Sequence, residues 1–437
     1  MMPLSLIVRG QGHHVAGSDR SLDQGRTSAK FDWLKAEGIG LFAQDGSGVT
    51  SADQIVVAST AVEDTVPDMQ SAKRMGCVRL SRADLLAQLF NASEQGIAIA
   101  GTSGKSTVTG MTGWIFHALG KDPTVMNGAV MKNFVSDEAP FASALVGKGP
   151  AFISEVDESD GSIALYKPAI AVLNNIALDH KSMEELRGLF TGFLSQAQVA
   201  VLNADSEEVM ALERTGTSIT YSIMGVPSDL MATEINERPD GVDFQLGDIA
   251  VSLQTPGRHN VSNALAALGA AKAAGIDLAD AAKAISGFSG LRRRLEVVGE
   301  ANDITVIDDF GHNPDKIAAT LNALHAFPGR LLLFFQPHGY GPLKLMGNDL
   351  ARMFRDKMQD DDRLVICDPV YYGGTTDKSV GSEAIVDVIG DRAQHFASRD
   401  DCASRLVALA RPGDRIVVMG ARDDTLSQYA RDILVRL

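Results

Sequence analysis

The segment from residue 97 to residue 119 constrains the fold of this 437-residue chain more than any other. An apolar run at 97–100 predicts a buried strand, the sequence Gly-Thr-Ser-Gly-Lys-Ser-Thr follows at 101–107, and a helix-compatible stretch continues over 108–119. This order of strand, glycine loop and helix directs backbone N–H groups and a helix N-terminus at one point, which is how proteins cradle phosphate groups. The segment therefore predicts a nucleotide site at the end of a strand in an α/β fold.

Each residue of this loop has an expected role. Gly101 and Gly104 let the backbone curl close to the phosphates, and Lys105 is expected to reach the β- and γ-phosphates. Ser106 is expected to place its hydroxyl on Mg²⁺. The same predicted cradle includes three further residues, Thr102, Ser103 and Thr107. A glycine turn beside a solvated lysine is the alternative, because the spacing is shorter than the general Gly-x4-Gly-Lys-Ser/Thr pattern.

Composition excludes several classes of function. Hydrophobic residues make up 45% of the chain and charged residues 22%, and no run approaches the roughly 20 apolar residues that cross a bilayer. The net charge of −15 argues against nucleic-acid binding, which needs a basic surface. Three widely spaced cysteines and an N-terminus without a signal-peptide pattern are typical of a cytoplasmic protein. We therefore expect small-molecule substrates, no nucleic-acid partner and no membrane insertion.

Apolar runs alternate with helical segments along most of the chain, which predicts an α/β fold with largely parallel sheets. The chain is too long for one core, and we predict three domains: 1–95, 96–290 and 291–437. Residues 215–253 are richer in turn residues and alternate in polarity, which predicts a small antiparallel insertion in the second domain. Strands of the third domain are predicted at 304–307, 330–335, 363–367 and 415–419.

Two polar segments follow predicted strands of the second domain. Residues 153–160, Ile-Ser-Glu-Val-Asp-Glu-Ser-Asp, carry four carboxylates, the hard oxygen ligands that Mg²⁺ takes. The segment 171–180 is another apolar strand, and it ends in Asp179 and His180. Because open α/β sheets place their sites at the carboxyl ends of strands, both segments are candidates for the nucleotide site. A solvated acidic loop and a structural histidine are the alternatives.

Three later segments also carry polar groups in suggestive positions. Asn260 and Asn263 lie three residues apart at a predicted helix start and share one face, although helix capping explains either one alone. The three arginines at 292–294 suit stabilisation of a transferring phosphoryl group, with solvated linker arginines as the alternative. The segment 306–314, Val-Ile-Asp-Asp-Phe-Gly-His-Asn-Pro, is a strand that ends in two aspartates, an aromatic residue, a glycine and a histidine.

In this order, these motifs resemble those of the Mur ligase family. Members are three-domain, ATP-dependent enzymes that join amino acids or peptides to a UDP-linked muramoyl carboxylate. The resemblance covers nearly the whole chain. It implies a truncated Rossmann-like N-terminal domain, a central P-loop ATPase-like α/β domain and a C-terminal Rossmann-like α/β domain.

The resemblance also implies roles for residues of the central domain. Lys105 and Ser106 would bind the ATP phosphates and a first Mg²⁺. Glu155 and His180 would hold a second Mg²⁺ near the γ-phosphate and the acceptor carboxylate.

Further roles follow from the same resemblance. Asn260 and Asn263 would contact adenine or its ribose. Arg294 and Asp309 would orient the nucleotide from the third domain, and His312 belongs to the same expected catalytic set.

The implied reaction forms an amide bond through an acyl phosphate. Its expected substrates are ATP, an amino acid and a UDP-muramoyl acceptor, with Mg²⁺ as the metal, and the expected assembly is a monomer or homodimer. A Mur-type ligase for another acceptor or amine, such as a murein tripeptide, is one alternative. A nucleotide-binding scaffold without ligase activity is another.

Two departures from the family pattern bear on the substrates. Relatives begin with a strand and a glycine-rich loop that cradles the UDP pyrophosphate, whereas this chain starts at Met1, about where that loop would finish. We expect either that the start is truncated or that UDP is held differently. The segment 337–342, Pro-His-Gly-Tyr-Gly-Pro, lacks two arginines that the resemblance implies, and Tyr-Gly-Gly at 372–374 replaces Ala-Gly-Glu. These changes concern the amine and the acceptor rather than ATP.

Overall fold

The computed structural model describes residues 1–59, 62–177, 181–214, 216–370, 378–421, 423 and 425–437. Helices and strands alternate along the chain, as the sequence predicts for an α/β fold. The chain divides into two compact units. The first unit contains Met1–Ile235, Asp243–Gln254 and Asn260–Ser289. The second unit contains Asn236–Val242, Thr255–His259 and Gly290–Leu437.

The N-terminal part of the chain forms two small parallel sheets. Its elements are α1 (Met2–Gly10), β1 (Ala16–Ser18), α2 (Arg20–Asp23), α3 (Ser28–Ala36), β2 (Gly40–Phe42), β3 (Ile55–Ala58), α4 (Pro67–Met75), β4 (Val78–Ser81) and α5 (Arg82–Asn91). β1 pairs with β2, and β3 pairs with β4, each pair being joined through a helix as parallel strands require. Ile55 and Val78 on the second pair remain 59% and 57% exposed, so these short sheets bury little apolar surface. Parallel strands joined through helices are the units of a Rossmann-like domain.

A ten-stranded sheet occupies the middle of the chain. Its strands are β5 (Gln95–Ala100), β6 (Thr124–Met126), β7 (Ala144–Leu145), β8 (Ala151–Glu155), β9 (Ile170–Leu173), β10 (Val199–Asn203), β11 (Thr217–Ser222), β12 (Leu230–Arg238), β13 (Gly241–Leu246) and β14 (Ile249–Leu253). The helices of this region are α6 (Lys105–Ala118), α7 (Met183–Ser195), α8 (Glu207–Met210), α9 (Arg258–Ala273) and α10 (Leu278–Ile285), with 3₁₀ turns at Lys132–Phe134 and Ser162–Leu165. The strand order is β14-β13-β12-β11-β10-β9-β5-β8-β6-β7, so β5 lies between β9 and β8.

The strands predicted as a small antiparallel insertion at 215–253 belong to the ten-stranded sheet. β11 pairs in parallel with β10 and with β12, and β13 and β14 extend the edge. The connection from β10 to β11 contains α8, and such a crossover permits parallel pairing. Only the two connections after β12 are as short as antiparallel hairpins require. The prediction of a small antiparallel insertion was therefore wrong for β11, whose pairings on both sides are parallel.

The centre of the sheet is covered by helices and fully apolar. Ile97 and Ile99 of β5 are fully buried, as are Val108, Met111 and Ile115 along one side of α6. A parallel strand that is covered on both faces reads as a continuous apolar run, which is why 97–100 could be recognised in the sequence. Each large apolar side chain buried in this way contributes about 1.5–3 kcal/mol of stabilisation, so β5 ends at a well-fixed point.

The C-terminal part of the chain builds a six-stranded sheet. Its elements are β15 (Glu296–Ala301), β16 (Ile304–Asp309), α11 (Pro314–His325), β17 (Leu331–Gln336), α12 (Tyr340–Lys357), β18 (Arg363–Cys367), α13 (Glu383–Ile389), a 3₁₀ turn (Gly390–Arg392), β19 (Ala393–Phe396), α14 (Arg399–Leu409), β20 (Arg415–Gly420) and α15 (Leu426–Arg436). The order is β15-β16-β20-β17-β18-β19, with only β15 antiparallel to its neighbour among the described pairs. All four predicted strands are confirmed. None of the described helices combines the length and apolar character of a bilayer span.

Candidate active site

The phosphate loop, residues 101–107, joins β5 to α6. Gly104 is the N-cap of α6 with a φ of 84°, so Lys105 and Ser106 lie in the first helical turn. The helix begins earlier than the predicted residue 108, which places the free N–H groups and positive dipole end of α6 at the loop itself. A Cβ at Gly104 would lie 2.5 Å from Asn263 Oδ1 and 2.7 Å from Asn174 Nδ2, so only glycine fits there.

Strand order brings a second segment against this loop. β9 is a neighbour of β5, and the Asn174 N–H donates to the Ala100 carbonyl at 3.1 Å. Asn175 holds the loop from the same side: its carbonyl accepts from the Thr102 N–H at 3.1 Å, and its Oδ1 accepts from the Ser103 N–H at 2.9 Å. The loop is therefore fixed by residues more than seventy positions away in sequence.

On the other side of β5, the end of β8 presents Glu155. The Ser106 hydroxyl donates to Glu155 Oε2 at 2.7 Å, and Asn127 Nδ2 donates to the Ser106 carbonyl at 3.0 Å. A Cβ at Gly128 would lie 2.1 Å from Glu155 Oε1, so the glycine leaves the space that this carboxylate occupies. A hydroxyl and a carboxylate at this spacing are oxygen donors of the kind that Mg²⁺ takes. The third predicted ligand, His180, lies outside the described residues.

Lys105 is held between two oxygen atoms. Its Nζ donates to the Gly101 carbonyl at 2.8 Å and to Glu158 Oε2 at 2.8 Å. Burial acts to raise the pKa of the nearby Asp157 carboxyl, but the Lys105 ammonium and hydrogen bonds from Ser159 outweigh it and hold that pKa below its usual value. The acidic segment after β8 therefore provides several negative groups around one ammonium.

Asn260 and Asn263 lie on α9 and are both buried. Asn263 Nδ2 donates to Asn260 Oδ1 at 3.1 Å. Asn263 is also the residue that a side chain at Gly104 would strike, so the pair lies behind the phosphate loop. Their predicted contact with adenine or ribose stays a prediction.

The second unit contains a buried ion pair between Arg293 and Asp308. Arg293 Nε donates to Asp308 Oδ1 at 3.2 Å, and its Nη2 donates to the Gly420 carbonyl at 2.7 Å. Burial raises the pKa of the Asp308 carboxyl above its usual value, and the Arg293 charge offsets this only in part. Ser427 Oγ occupies the other carboxylate oxygen at 2.7 Å. This pair ties the end of β16 to its surroundings within the unit.

Asp309 stands at the centre of a compact group of hydrogen bonds, here called the Asp309 cluster and made of Asp309, Leu295, Gly311 and Thr320. Oδ1 accepts from the Leu295 N–H at 2.9 Å. Oδ2 accepts from the Gly311 N–H at 2.8 Å and from Thr320 Oγ1 at 2.9 Å. The carboxylate is only 6% exposed. Its predicted role in orienting the nucleotide stays a prediction, and the observed contacts hold the segments on either side of it.

Arg294 and His312 both lie against the ring of Phe310. Arg294 Cζ is 4.5 Å from the Phe310 centroid, and the His312 ring is 5.3 Å from Phe310 and 5.1 Å from the His338 ring. Burial lowers the pKa of His312 to about 3, with the charge of Lys316 adding to the effect. The imidazole is therefore neutral at ordinary pH. Its Nδ1 lies 2.8 Å from the Phe310 carbonyl, so Nδ1 carries the proton and Nε2 is the acceptor.

Sequence reasoning missed four contributors to these sites, three of which lie in segments that it had identified. Glu158 lies in the acidic segment that the sequence analysis identified, but no role was predicted for it. Asn174 and Asn175 lie at the strand end that it also identified, again without a predicted role. The signal for all three was the rule that strand ends meet at one edge of a parallel sheet, but the partner of each depends on the order of the strands. Thr320, which supports Asp309, gives no signal in the sequence.

The site residues thus fall into two groups. The first unit brings together Lys105, Ser106 and Glu155, with Asn263 behind the loop. Arg294 and His312 belong to the second unit, where Phe310 joins them.

Comparison with known protein families gives matches along most of the chain. The model described as "Mur ligase family, catalytic domain" matches residues 1–94. "Mur ligase middle domain" matches residues 99–271, and "Mur ligase, glutamate ligase domain" matches residues 293–422.

Individual proteins give the same result. A UDP-N-acetylmuramate–L-alanine ligase of Agrobacterium fabrum is 33% identical over 97% of this chain and 92% of its own length. The protein of the same name in Gloeobacter violaceus is 32% identical over 96% of this chain and 90% of its own. The solved UDP-N-acetylmuramate–alanine ligase of Thermotoga maritima has a TM-score of 0.81 at 22% identity, covering 100% of this chain and 96% of that one. A murein peptide ligase of Psychrobacter arcticus, at 24% identity and the same coverage, has a TM-score of 0.72. These structures share the fold.

Proposed function

This chain belongs to the Mur ligase family, and on that premise we propose that it is an ATP-dependent ligase joining L-alanine to UDP-N-acetylmuramate in peptidoglycan precursor synthesis. The observation that carries the proposal is the likeness, at 33% identity over 97% of the chain, to a relative named for this reaction. The retention of Lys105, Ser106 and Glu155 around one loop supports it. Because these substrates are soluble metabolites, the proposed location is the cytoplasm.

The reaction forms an amide from a carboxylate and an amine. A carboxylate is a poor electrophile, because its charge repels a nucleophile and it has no good leaving group. Transfer of the γ-phosphoryl group of ATP to the muramoyl carboxylate gives an acyl phosphate and ADP. The amino group of L-alanine then attacks the acyl carbon, loses a proton, and phosphate leaves from the tetrahedral intermediate. Both steps develop negative charge that fixed positive groups stabilise.

The phosphate loop supplies these positive groups in the first unit. Lys105 neutralises the β- and γ-phosphates, and the free N–H groups of the first turn of α6 donate to phosphate oxygens. Gly101 and Gly104 keep the loop free of side chains on the approach of the nucleotide. The buried amides of Asn260 and Asn263 are the proposed support for the adenosine side.

The donors in this region fit Mg²⁺. Ser106 Oγ and Glu155 Oε2 lie 2.7 Å apart and are both hard oxygen ligands. We propose Ser106 as a holder of a first Mg²⁺, and Glu155 together with His180 as holders of a second. The bound ion supplies charge neutralisation and Lewis-acid polarisation of phosphoryl oxygens. The work of Ser106 and Glu155 themselves is to fix the position of that charge relative to Lys105.

The second unit provides the remaining proposed groups. Arg294 offers a cation that stabilises negative charge on phosphate, and Asp309 fixes the neighbouring backbone at Leu295 and orients the nucleotide. His312, neutral and protonated on Nδ1, offers Nε2 as a hydrogen-bond acceptor. The proposed domain boundaries are 1–95, 96–290 and 291–437, and the proposed assembly is a monomer or homodimer.

Phosphate release tests the proposed function. ATP, Mg²⁺ and UDP-N-acetylmuramate are combined with L-alanine, L-serine or glycine, and a parallel series offers a murein tripeptide as the amine. We expect release only when nucleotide, acceptor and L-alanine are all present, with UDP-N-acetylmuramoyl-L-alanine as the product identified by mass. Release with the tripeptide and not with L-alanine would instead assign the chain to another ligase of the family. Release that needs neither acceptor nor amine would contradict ligation altogether.

A further inference from the structure

One acidic residue beside the phosphate loop has no role in the proposed reaction. Residues 153–160, at the end of β8 and just after it, carry four carboxylates, and three of them have evident partners. Glu155 accepts from Ser106, while Asp157 and Asp160 accept backbone N–H groups two residues ahead of them at 3.0 and 2.9 Å. The fourth, Glu158, directs its carboxylate to Lys105.

The contact between Glu158 and Lys105 is short and shielded from solvent. Glu158 Oε2 and Lys105 Nζ are 2.8 Å apart, with 7% and 19% of the two side chains exposed. A charge-assisted hydrogen bond in such surroundings is shorter and stronger than one between neutral groups. A buried carboxylate is costly without such a partner, so each group favours the position of the other.

Among the described residues, the ammonium has two hydrogen-bond partners, which leaves one of its protons for a ligand. A lysine ammonium has three protons. One is directed at the Gly101 carbonyl and one at Glu158 Oε2, both at 2.8 Å. The third is available to a phosphate oxygen without loss of the other two bonds. The pair therefore fixes where that proton points.

The backbone that carries Glu158 is itself well held. The preceding Val156 is 1% exposed, and its N–H donates to the Ile99 carbonyl of β5 at 2.9 Å. The Glu158 carbonyl accepts from the Gly161 N–H at 3.1 Å, which closes a turn before the 3₁₀ segment at Ser162–Leu165. Glu158 is thus anchored to the same strand from which the phosphate loop starts.

We propose that Glu158 is a positioning residue for Lys105, holding the ammonium over the phosphate loop before the nucleotide arrives. A free lysine side chain loses rotamer entropy when it is ordered. Because Glu158 has already ordered Lys105, binding of the phosphates does not bear that cost. The inference rests on the proposed function only in taking residues 101–107 as the ATP phosphate site.

The opposite role for Glu158 makes the opposite prediction. If its carboxylate merely occupied Lys105 until ATP displaced it, removing the carboxylate would tighten ATP binding. If it positions Lys105, removal weakens ATP binding. The sign of the change separates the two.

Direct titration of a fluorescent ATP analogue in the presence of Mg²⁺ measures this sign on the full chain. We expect Glu158→Ala to weaken binding about ten- to thirtyfold, because binding must then order the Lys105 side chain and the rotamer entropy of a free lysine corresponds to a loss of about this size. Glu158→Gln keeps an acceptor oxygen and should weaken binding only about threefold. The control is Asp137→Asn, at an exposed carboxylate of the first unit outside the acidic segment, which should bind like the parent. If Glu158→Ala does not fold, the ATP affinity of Glu158→Gln is compared with that of the parent instead.

A double-mutant cycle separates positioning from a general effect on structure. In a Lys105→Ala background, adding Glu158→Ala should change ATP affinity no further, because the group it positions is gone. A purely structural role would give the same loss in both backgrounds. Equal or tighter binding by Glu158→Ala than by the parent would overturn the inference.

The titration uses neither amine nor acceptor, so its outcome is distinct from that of the ligase assay. A parent that binds ATP through Glu158 but ligates nothing would refute the proposed function and keep the inference. A working ligase whose ATP affinity does not depend on Glu158 would support the proposed function and refute the inference. A parent that binds no nucleotide would refute both.

Discussion

Lys105 in the phosphate loop and Asp309 in the second unit are both largely shielded charged groups, but they differ in how their hydrogen bonds are used. Lys105 has two oxygen partners among the described residues, which leaves one of its three protons for a ligand. Asp309 receives three donors from its own unit, one on Oδ1 and two on Oδ2. The first arrangement fits a group that binds a substrate, and the second fits a group that holds the chain together.

The difference teaches that residue type and strand-end position are not enough to assign a role. Asp309 is the last residue of β16, and Lys105 begins α6 after the loop that follows β5. Both therefore lie near the carboxyl end of a parallel strand, where sequence reasoning placed functional groups. Their internal partners differ, and those partners can be counted only in the structure. The comparison therefore predicts that changes at the phosphate loop act mainly on turnover and changes at the Asp309 cluster mainly on stability.

Replacement of Lys105 should have the largest effect. We expect Lys105→Ala to lower kcat/KM for ATP about 10²–10³-fold, since it removes a fixed donor from charge that develops in the transition state. Lys105→Arg should recover little of this loss, because the planar guanidinium does not reproduce a compact ammonium. Phosphate release with both co-substrates measures the effect.

A second variant separates turnover from stability at the same position. Lys105→Ala leaves the buried Glu158 carboxylate without its cation, which costs about 3 kcal/mol of folding free energy. The double variant Lys105→Ala/Glu158→Ala should regain stability and remain inactive. Lys148→Ala, at an exposed lysine, is the control and should match the parent. Recovery of turnover in the double variant would contradict the substrate-binding role that the comparison with Asp309 gives to Lys105.

Replacement of Ser106 tests the metal side of the loop. We expect Ser106→Ala to raise the Mg²⁺ concentration for half-maximal activity about tenfold, because a hydroxyl bonded to Glu155 is lost. Ser106→Thr keeps the hydroxyl and should stay near the parent. Ser136→Ala, at an exposed serine of the first unit, serves as control. A Mg²⁺ dependence that is the same in Ser106→Ala and the parent would remove Ser106 from the proposed metal site.

The Asp309 cluster should respond in stability. Asp309→Ala leaves the N–H groups of Leu295 and Gly311 without their acceptor, while the Thr320 hydroxyl keeps the Lys316 carbonyl. We therefore expect a loss of about 2–3 kcal/mol in the free energy of unfolding. Denaturant titration measures it, with the exposed Asp315→Ala as the matched control. Unchanged stability in Asp309→Ala would contradict the comparison. A raised KM for ATP in the folded fraction would give Asp309 its predicted contact with nucleotide as well.

Much of the fold could be predicted from the sequence, because parallel strands that are buried on both faces appear in the sequence as continuous apolar runs. The predicted strands at 304–307 and 363–367 fall on β16 and β18. The strands at 215–253 were misassigned because local alternation does not say which existing strand a new one joins. That choice depends on the connections, here on α8 between β10 and β11.

The site could be predicted as a list of residues more readily than as a set of contacts. The glycine-loop motif is local in sequence, and it predicts functional roles for Lys105 and Ser106. The bond from Lys105 to Glu158 spans 53 positions and exists only because β8 lies beside β5. The three partners of Asp309 could not be foreseen either, since two of them are backbone N–H groups.

The smallest expected effect concerns His312, whose pKa burial lowers to about 3. The charges of Lys316, His338 and Arg294 act in the same direction, and the hydrogen bond to the Phe310 carbonyl opposes them. A histidine in the unfolded chain has a pKa near 6.5. Below about pH 6.5 the unfolded state therefore binds a proton at this residue that the folded state does not bind, which favours unfolding. The stability due to a neutral His312 is therefore complete above about pH 6.5 and is lost as the pH falls toward 3.

Substitution of His312 should remove this loss. Between pH 6.5 and 5.5 the parent should lose about 1 kcal/mol more unfolding free energy than His312→Asn, whose side-chain amide can still donate to the Phe310 carbonyl but does not titrate. Denaturant titrations at several pH values measure the difference in slope. The exposed His13→Asn is the control and should follow the parent. Parallel pH profiles for the parent and His312→Asn would mean that His312 accepts a proton in the folded protein, and the neutral acceptor proposed for Nε2 would then be withdrawn.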